Sequence, residues 1–391
     1  MADPWLSIIG LGEDGPEGLS GASRAALAAA GTVFGGPRHL ALAGVGARGR
    51  PWPVPFSLDP VLALRGRPVA VLASGDPFWF GAGGSLAQVL YPGEWRTYPA
   101  AGVFSLAAAR LGWRLEETAC LGLHAAPFER LRPLLHAGWQ GICTLRDGLA
   151  VADLAAWLAG QGWGASQLWV LESLGGPQER VREIRADTAL AADIAAPVAV
   201  AIRAAGGSGL PRCPGLPEGL FAHDGQITKS PIRALTLAAL APRPKETLWD
   251  LGAGSGSVAV EWALAGGRAV AVERREDRAA NIRANAAAFG LGDRLTVRTG
   301  TAIEMLPDLP PPDAIFVGGG FDAALFAALP RRARLVVNAV TLETEALLVQ
   351  LHAAHGGDLT RIEIARAAPL GQMRGWNAVR PVVQWSLGPC A

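Results

Sequence analysis

At 391 residues the chain is long enough for two or three domains, and its formal net charge of +1 argues against a nucleic-acid-binding surface. Half of the residues are hydrophobic, yet no apolar run reaches the length of a membrane span, so neither a nucleic-acid nor a membrane partner is expected. Cys120, Cys143, Cys213 and Cys390 are scattered without a C-x-x-C pair, which suits neither zinc nor a disulfide framework and fits a reducing cytoplasm. Residues 1–10 carry no basic stretch ahead of an apolar core, so no secretory leader is expected. Lys229 and Lys245 are the only lysines. Arginine therefore carries nearly all the positive charge, which fits a GC-rich genome or a substrate with several carboxylates; composition does not separate the two.

In chain order, strand-like runs at 5–10, 68–73, 141–145, 167–171 and 197–202 alternate with Ala/Leu-rich helical stretches. Residues 204–218 crowd glycine and proline without apolar periodicity and read as an interdomain linker. The alternation then restarts with a helix at 231–240 and a strand ending at Asp250. A glycine turn and helix follow, then a strand to Glu273, a helix at 275–289, and strands at 294–298, 313–317 and 334–338. A helix at 342–354 precedes two late strands, 359–366 and 379–385, expected to close the sheet as an antiparallel hairpin. Both halves are thus α/β. The expected division is 1–205, a linker at 206–218, and 219–391.

The most informative segment is Asp250–Ser257, DLGAGSGS, set between the first strand and a helix. Its turn needs glycine for backbone angles closed to other residues and for close approach of a ligand. Glu273 ends the next strand about 20 residues after the first glycine, the distance at which an acid holds ribose hydroxyls. Dinucleotide folds use G-x-G-x-x-G, whereas Gly252, Gly254 and Gly256 are spaced G-x-G-x-G behind an acid that would repel a pyrophosphate. The pattern resembles that of the class I S-adenosylmethionine methyltransferases; a plain NAD-binding domain is the alternative. In an open α/β sheet the ligand lies beyond the carboxyl ends of the strands, so Asp250, Glu273, Gly300, Thr301 and the glycines from Gly318 to Gly320 should ring one crevice.

In the first half, one strand runs into Gly10-Leu11-Gly12 and another into Ser74-Gly75-Asp76-Pro77. Together with residues 99–105 these turns resemble the tetrapyrrole methylase superfamily. The resemblance implies that Gly10, Gly12, Gly75, Asp76, Ala100 and Ala101 help hold a second S-adenosylmethionine. Gly35-Gly36-Pro37-Arg38-His39-Leu40, residues 121–124, Asp147 and residues 172–180 look like the cobalamin-pathway methylase acting at carbon 5 of the corrin ring. Residues 221–233, FAHDGQITKSPIR, look like the partner type that methylates carbon 15 and removes the ring-C acetate carboxyl. The resemblance covers essentially the whole chain. It implies a tetrapyrrole-methylase fold of two α/β subdomains followed by a Rossmann-like class I domain. It further implies two S-adenosyl-L-methionine sites, precorrin-6B as substrate, precorrin-8 as product, no metal, and self-association into a homo-oligomer. Three departures stand out. Gly12-Glu13-Asp14-Gly15 replaces the usual Pro-Gly loop, Ala125-Ala126 follows His124 where relatives often carry Gly-Arg, and Thr301 stands where many class I enzymes place an acid.

Methyl transfer from a sulfonium needs alignment and water exclusion rather than a covalent intermediate, which agrees with the lack of any Ser/His/Asp or Cys/His constellation. The candidate catalytic residues are His223, Asp224, Thr228 and Lys229 in the second half, with His124 and Asp147 in the first. Arg233, Arg374 and Arg380 are candidate carboxylate binders. The same segments have plainer readings. Ser230 suits a helix N-cap ahead of Pro231, Asp76 suits a local turn, and Trp79 and Phe80 are expected to pack the core. An RNA or protein methyltransferase, or a tetrapyrrole-binding scaffold with one inactive half, is the competing reading. Against the former, Val317-Gly318-Gly319-Gly320 lacks the polar-Pro-Pro-aromatic motif that grips a nucleobase amine.

Overall fold

In a computed structural model, residues 4–189 and 192–389 are described; residues 1–3, where the leader reading begins, and Cys390 lie outside them. The chain divides into two compact units, one comprising Met1–Phe128 and His136–Ser208, the other Glu129–Leu135 and Gly209–Ala391. Among the described residues, no helix is long and apolar enough to cross a membrane.

The first unit contains two five-stranded sheets. The first is all parallel: β1 (Leu6–Leu11), β2 (Thr32–Gly35), β3 (Gly49–Pro51), β4 (Val69–Ser74) and β5 (Trp95–Tyr98), in the order β3-β2-β4-β1-β5. The central strands β1 and β4 are nearly continuous apolar runs because helices cover both faces of such a sheet. The second sheet is mixed: β6 (Ala119–Gly122), β7 (Gln140–Thr144), β8 (Gln167–Glu172), β9 (Arg180–Arg185) and β10 (Val198–Arg203), ordered β6-β7-β10-β8-β9. The strands not expected from sequence are the short ones, β2, β3, β5 and β6, and β9. In β9, RVREIR, arginine and glutamate interrupt the apolar alternation of an edge strand.

The second unit is one seven-stranded sheet. It contains β11 (Thr247–Leu251), β12 (Arg268–Glu273), β13 (Leu295–Thr299), β14 (Ala314–Val317) and β15 (Arg334–Ala339), all parallel; a final strand, Val382–Leu387, then runs antiparallel between β15 and the edge strand β16 (Asp358–Ile362). Separate apolar cores pack its two faces, one around Trp262 and Phe289 and the other around Trp385 and Phe326. The late run expected as one strand at 359–366 is split. Its first part pairs with Val382–Leu387. Its second part forms β17 (Ala365–Leu370), which pairs with β18 (Met373–Ala378) as a separate hairpin. The end of the glycine/proline stretch is not a free connector either. Leu216 is 2% exposed within the core, and the Glu261 carboxylate accepts the Gly215 and Leu216 N–H groups at 2.7 and 2.9 Å.

Candidate active sites

In the first unit three strand-end loops meet. A Cβ on Gly10 would fall 1.8 Å from the Gly75 carbonyl oxygen and 2.6 Å from the Ala100 nitrogen, so only glycine lets these backbones touch. Gly75 donates to the Leu11 carbonyl at 3.0 Å and its own carbonyl accepts from Ala100 at 3.2 Å. Gly10, Gly75, Ala100 and Ala101 therefore meet at one corner. Beside it opens a cavity of about 830 Å³ lined by Gly12, Gly75, Asp76, Ala100, Ala101 and His124, among others. Asp76 accepts the Phe78 N–H at 2.9 Å, which is the local turn role. Trp79 and Phe80 do not pack a core as expected: they are 53% and 63% exposed and line the cavity. The Phe80 ring lies edge-on to His124, centroids 6.4 Å apart, and His124 Nδ1 is 3.3 Å from Thr144 Oγ1.

The unusual first loop has a partner. Glu13 pairs with Arg38, whose guanidinium also reaches Ser74 Oγ at 3.2 Å and His39 Nε2 at 3.1 Å. Arginine can only donate, so Nε2 of His39 is an acceptor and the Ser74 hydroxyl donates to it at 2.8 Å. Burial, and secondarily the Arg38 charge, hold His39 down at about 4, so its ring stays neutral. Asp147, by contrast, does not line the cavity. One oxygen accepts the Ala150 N–H at 2.9 Å at the start of helix Leu149–Gly160, and the other accepts from Arg146 Nε at 2.8 Å. It is Arg146 that reaches the cavity wall.

In the second unit the ends of β11, β12 and β14 come together. Gly252, Gly254 and Gly256 are all left-handed, with φ of 67°, 59° and 70°. A Cβ on Gly252 would sit 2.4 Å from the Gly319 oxygen, and Gly318 donates to Leu251 at 3.1 Å, so the loop after β14 lies against the glycine turn. The Glu273 carboxylate accepts the N–H groups of Gly254 and Arg275 at 2.9 and 3.0 Å, and Gly300 donates to the Glu273 carbonyl at 3.0 Å. Asp250 is buried. Its Oδ2 accepts the Ala259 N–H at 3.1 Å, while Oδ1 has no hydrogen-bond partner among the described residues. Burial, with a smaller push from Glu273, raises this carboxyl to about 7. Thr301 directs its hydroxyl into the Glu304 carboxylate at 2.6 Å.

Residues 222–228 form a strap that crosses this turn, with the Gln226 oxygen 3.6 Å from where a Cβ on Gly254 would lie. The Asp224 carboxylate accepts from Arg278 at 2.8 Å and from the Gln226 N–H at 3.0 Å. His223 Nδ1 accepts the Gly225 N–H at 3.0 Å, which leaves Nε2 as its donor. Two expectations fail here. Arg233 is fully buried and cannot reach a substrate: it donates to Glu261 at 2.6 Å and to the carbonyls of Thr228 and Leu216, beneath the Phe221 ring. Ser230 is not the N-cap. Lys229 holds that position without a side-chain bond, and the Ser230 hydroxyl donates to the Gly215 carbonyl at 2.7 Å. Lys229, Arg374 and Arg380 are exposed, the last two on and beside β18, and their side chains make no hydrogen bond among the described residues. Sequence reading gave no role to Arg38, Arg146, Arg278 or Asn285: Arg38, Arg278 and Asn285 act across large chain separations, and Arg146 through its neighbour Asp147.

Comparison with known proteins fits both halves. Residues 6–189 match the family described as Tetrapyrrole (Corrin/Porphyrin) Methylases, and residues 219–388 match the Precorrin methyltransferase domain. A Sinorhizobium sp precorrin-6Y C(5,15)-methyltransferase [decarboxylating] is 46% identical over 403 residues, covering 99% of this chain and 97% of that protein. The chain belongs to the precorrin-6Y C(5,15)-methyltransferase family. It is accordingly an S-adenosylmethionine-dependent methyltransferase. A probable cobalt-precorrin-6B C(15)-methyltransferase (decarboxylating) of Pyrobaculum calidifontis is 36% identical over 181 residues, 43% of this chain and 93% of that protein. The crystal structure of the C-terminal domain of the Rhodobacter capsulatus precorrin-6Y C5,15-methyltransferase is 60% identical, covering 45% of this chain and 98% of that one, with a TM-score of 0.44.

Proposed function

We propose that the chain carries two donor sites and two reactions, methylating precorrin-6B at carbon 5 in the first unit and at carbon 15 in the second. Loss of the ring-C acetate carboxyl accompanies the second methylation and gives precorrin-8. One observation carries this reading: two unrelated sheets each bring glycine-dependent loops together beyond their strand ends.

The residues present fit the donor. S-adenosylmethionine supplies an electrophilic methyl on a sulfonium, together with an ammonium group and two ribose hydroxyls. The buried Oδ1 of Asp250 lacks a hydrogen-bond partner among the described residues and suits a cationic or donating group. The Glu273 carboxylate, fixed by two backbone N–H groups, retains acceptor capacity for ribose hydroxyls. In the first unit, Gly12, Gly75, Ala100 and Ala101 offer backbone to the same purpose at the cavity wall.

The work of the chain is then alignment and exclusion of water. The strap around Asp224 and Gln226 covers the glycine turn, and the Trp79 and Phe80 rings give the first cavity an apolar wall against a macrocycle. His223, within the strap, presents Nε2 as a donor that steers electron flow as the acetate carboxyl leaves. Calorimetric titration with S-adenosylhomocysteine tests the proposal. Two equivalents per chain support it; one equivalent leaves a scaffold with a single active half.

A further inference from the structure

The first-unit cavity meets two cations, and they differ in what their donors do. Arg38 is consumed by Glu13, Ser74 and His39. Arg146 is 66% exposed on its side chain and uses only Nε, toward Asp147; its two terminal nitrogens have no hydrogen-bond partner among the described residues. That guanidinium is not loose. Asp147 is itself held by the Ala150 N–H, so Arg146 hangs from a carboxylate braced on helix Leu149–Gly160. The remaining ionisable groups on the cavity wall are Glu13, Asp76, Cys120 and His124.

The register of the second sheet adds a second observation. β6 and β7 run parallel with Gly122 opposite Thr144, and His124 and Thr144 touch through Nδ1 and Oγ1. On this wall His124, Thr144, Leu145 and Arg146 follow one another, with Arg146 two residues beyond the end of β7. Trp79, Phe80, Phe104 and Leu174 line the same cavity with apolar surface. An apolar lining with a guanidinium at its edge whose terminal nitrogens are unused suits a macrocycle bearing peripheral carboxylates.

We propose that Arg146, oriented by Asp147, is a substrate-binding residue of the first unit that grips a carboxylate side chain of the tetrapyrrole through its two terminal nitrogens. This rests on the tetrapyrrole reading given above. Arg146 is the binding residue and Asp147 the positioning one. The bond to Asp147 already restricts the guanidinium, so less freedom is lost when the carboxylate arrives.

The test uses the full chain saturated with S-adenosylhomocysteine and titrated with uroporphyrin III, an octacarboxylate, and with its octamethyl ester. R146A is expected to weaken uroporphyrin binding about tenfold, the scale of a lost charge-assisted contact. R146K, a point charge without the fork, should recover part of that loss, and D147N should weaken binding less than R146A. Ester binding should be the same in all variants, as should the S-adenosylhomocysteine affinity. In turnover, R146A should raise KM for carbon-5 methylation by more than it lowers kcat. Uroporphyrin affinity and KM both unchanged in folded, donor-binding R146A would overturn the inference alone. A wild-type chain that binds S-adenosylhomocysteine but no tetrapyrrole overturns both the inference and the reading beneath it. Arg146-dependent uroporphyrin binding without any carbon-5 product would keep the inference and remove the proposed reaction.

Discussion

Asn285 donates to the Ser255 carbonyl at 2.9 Å, and the same buried carboxamide exchanges bonds with the backbone of Ala222, accepting at 2.7 Å and donating at 3.0 Å. One side chain on helix Glu276–Ala288 thus joins the glycine turn to the strap above it. N285A leaves these backbone groups without partners and is expected to cost about 2 kcal/mol of stability. It should also weaken donor binding to the second unit. N285D keeps the bond from the Ala222 N–H but sets a buried carboxylate against the Ala222 and Ser255 carbonyl oxygens, and should cost at least as much as N285A. Denaturant unfolding with S-adenosylhomocysteine titration checks both effects; N285A with unchanged stability and affinity would remove Asn285 as the clamp.

Asp250 gives the ligand-free chain a pH signature. Its carboxyl is raised from 3.8 to about 7, chiefly by burial, so between these values the folded state holds a proton that the unfolded state has lost. Its contribution to stability is full below 3.8 and is lost as pH rises through about 7. D250N lacks this slope, so its stability relative to wild type should climb over that window. A cationic donor favours the carboxylate, and wild-type affinity should rise through the same window while D250N stays flat. Melting curves and titrations from about pH 4 to about pH 8, which span the window, read both; parallel wild-type and D250N profiles would show that Asp250 does not titrate there.

G10A tests the first-unit corner. The added methyl would lie 1.8 Å from the Gly75 oxygen, so backbone rather than a flexible side chain must move. Overpacking of this kind costs roughly 2 kcal/mol. No product methylated at carbon 5 is expected, and donor stoichiometry should drop by one equivalent. A G10A chain that still methylates carbon 5 at the wild-type rate would place that reaction elsewhere.

R233M tests the reassignment of Arg233 from substrate binding to structure. Breaking its buried pair with Glu261 leaves a carboxylate uncompensated and should cost roughly 3–5 kcal/mol. The same change frees the Thr228 and Leu216 carbonyls. Unfolding curves should therefore shift strongly, with KM for the tetrapyrrole unchanged in whatever fraction remains folded. A stable R233M protein with a raised KM would restore the substrate role.

Much of this was readable from the chain because some constraints are local. The turn at Gly252, Gly254 and Gly256 needs left-handed backbone, and Glu273 follows at a spacing set by one helix and one strand, so linear distance encodes the geometry. Gly10, Gly75 and Ala100 lie far apart in sequence, yet each sits at a strand end, and the family resemblance grouped them. Burial was not legible. Arg233 and Lys229 look alike as cations beside a helix start, but only folding shows that one is enclosed by Glu261 and Phe221 and the other faces water. Trp79 and Phe80 look like core residues by type, and only the packing of the neighbouring loops leaves their rings on a cavity wall. Asn285 carried no motif, since it acts through partners fixed by the tertiary fold, and nothing local showed that Arg146 lies on a cavity wall.

The most direct test of two reactions on one chain is product mass spectrometry with precorrin-6B and S-adenosylmethionine, comparing wild type with G252A, whose added methyl would lie 2.4 Å from the Gly319 oxygen. Wild type should gain two methyl groups and lose carbon dioxide, while G252A product should keep every carboxyl and gain no methyl at carbon 15. A decarboxylated product from folded G252A would contradict the assignment of that chemistry to the second unit.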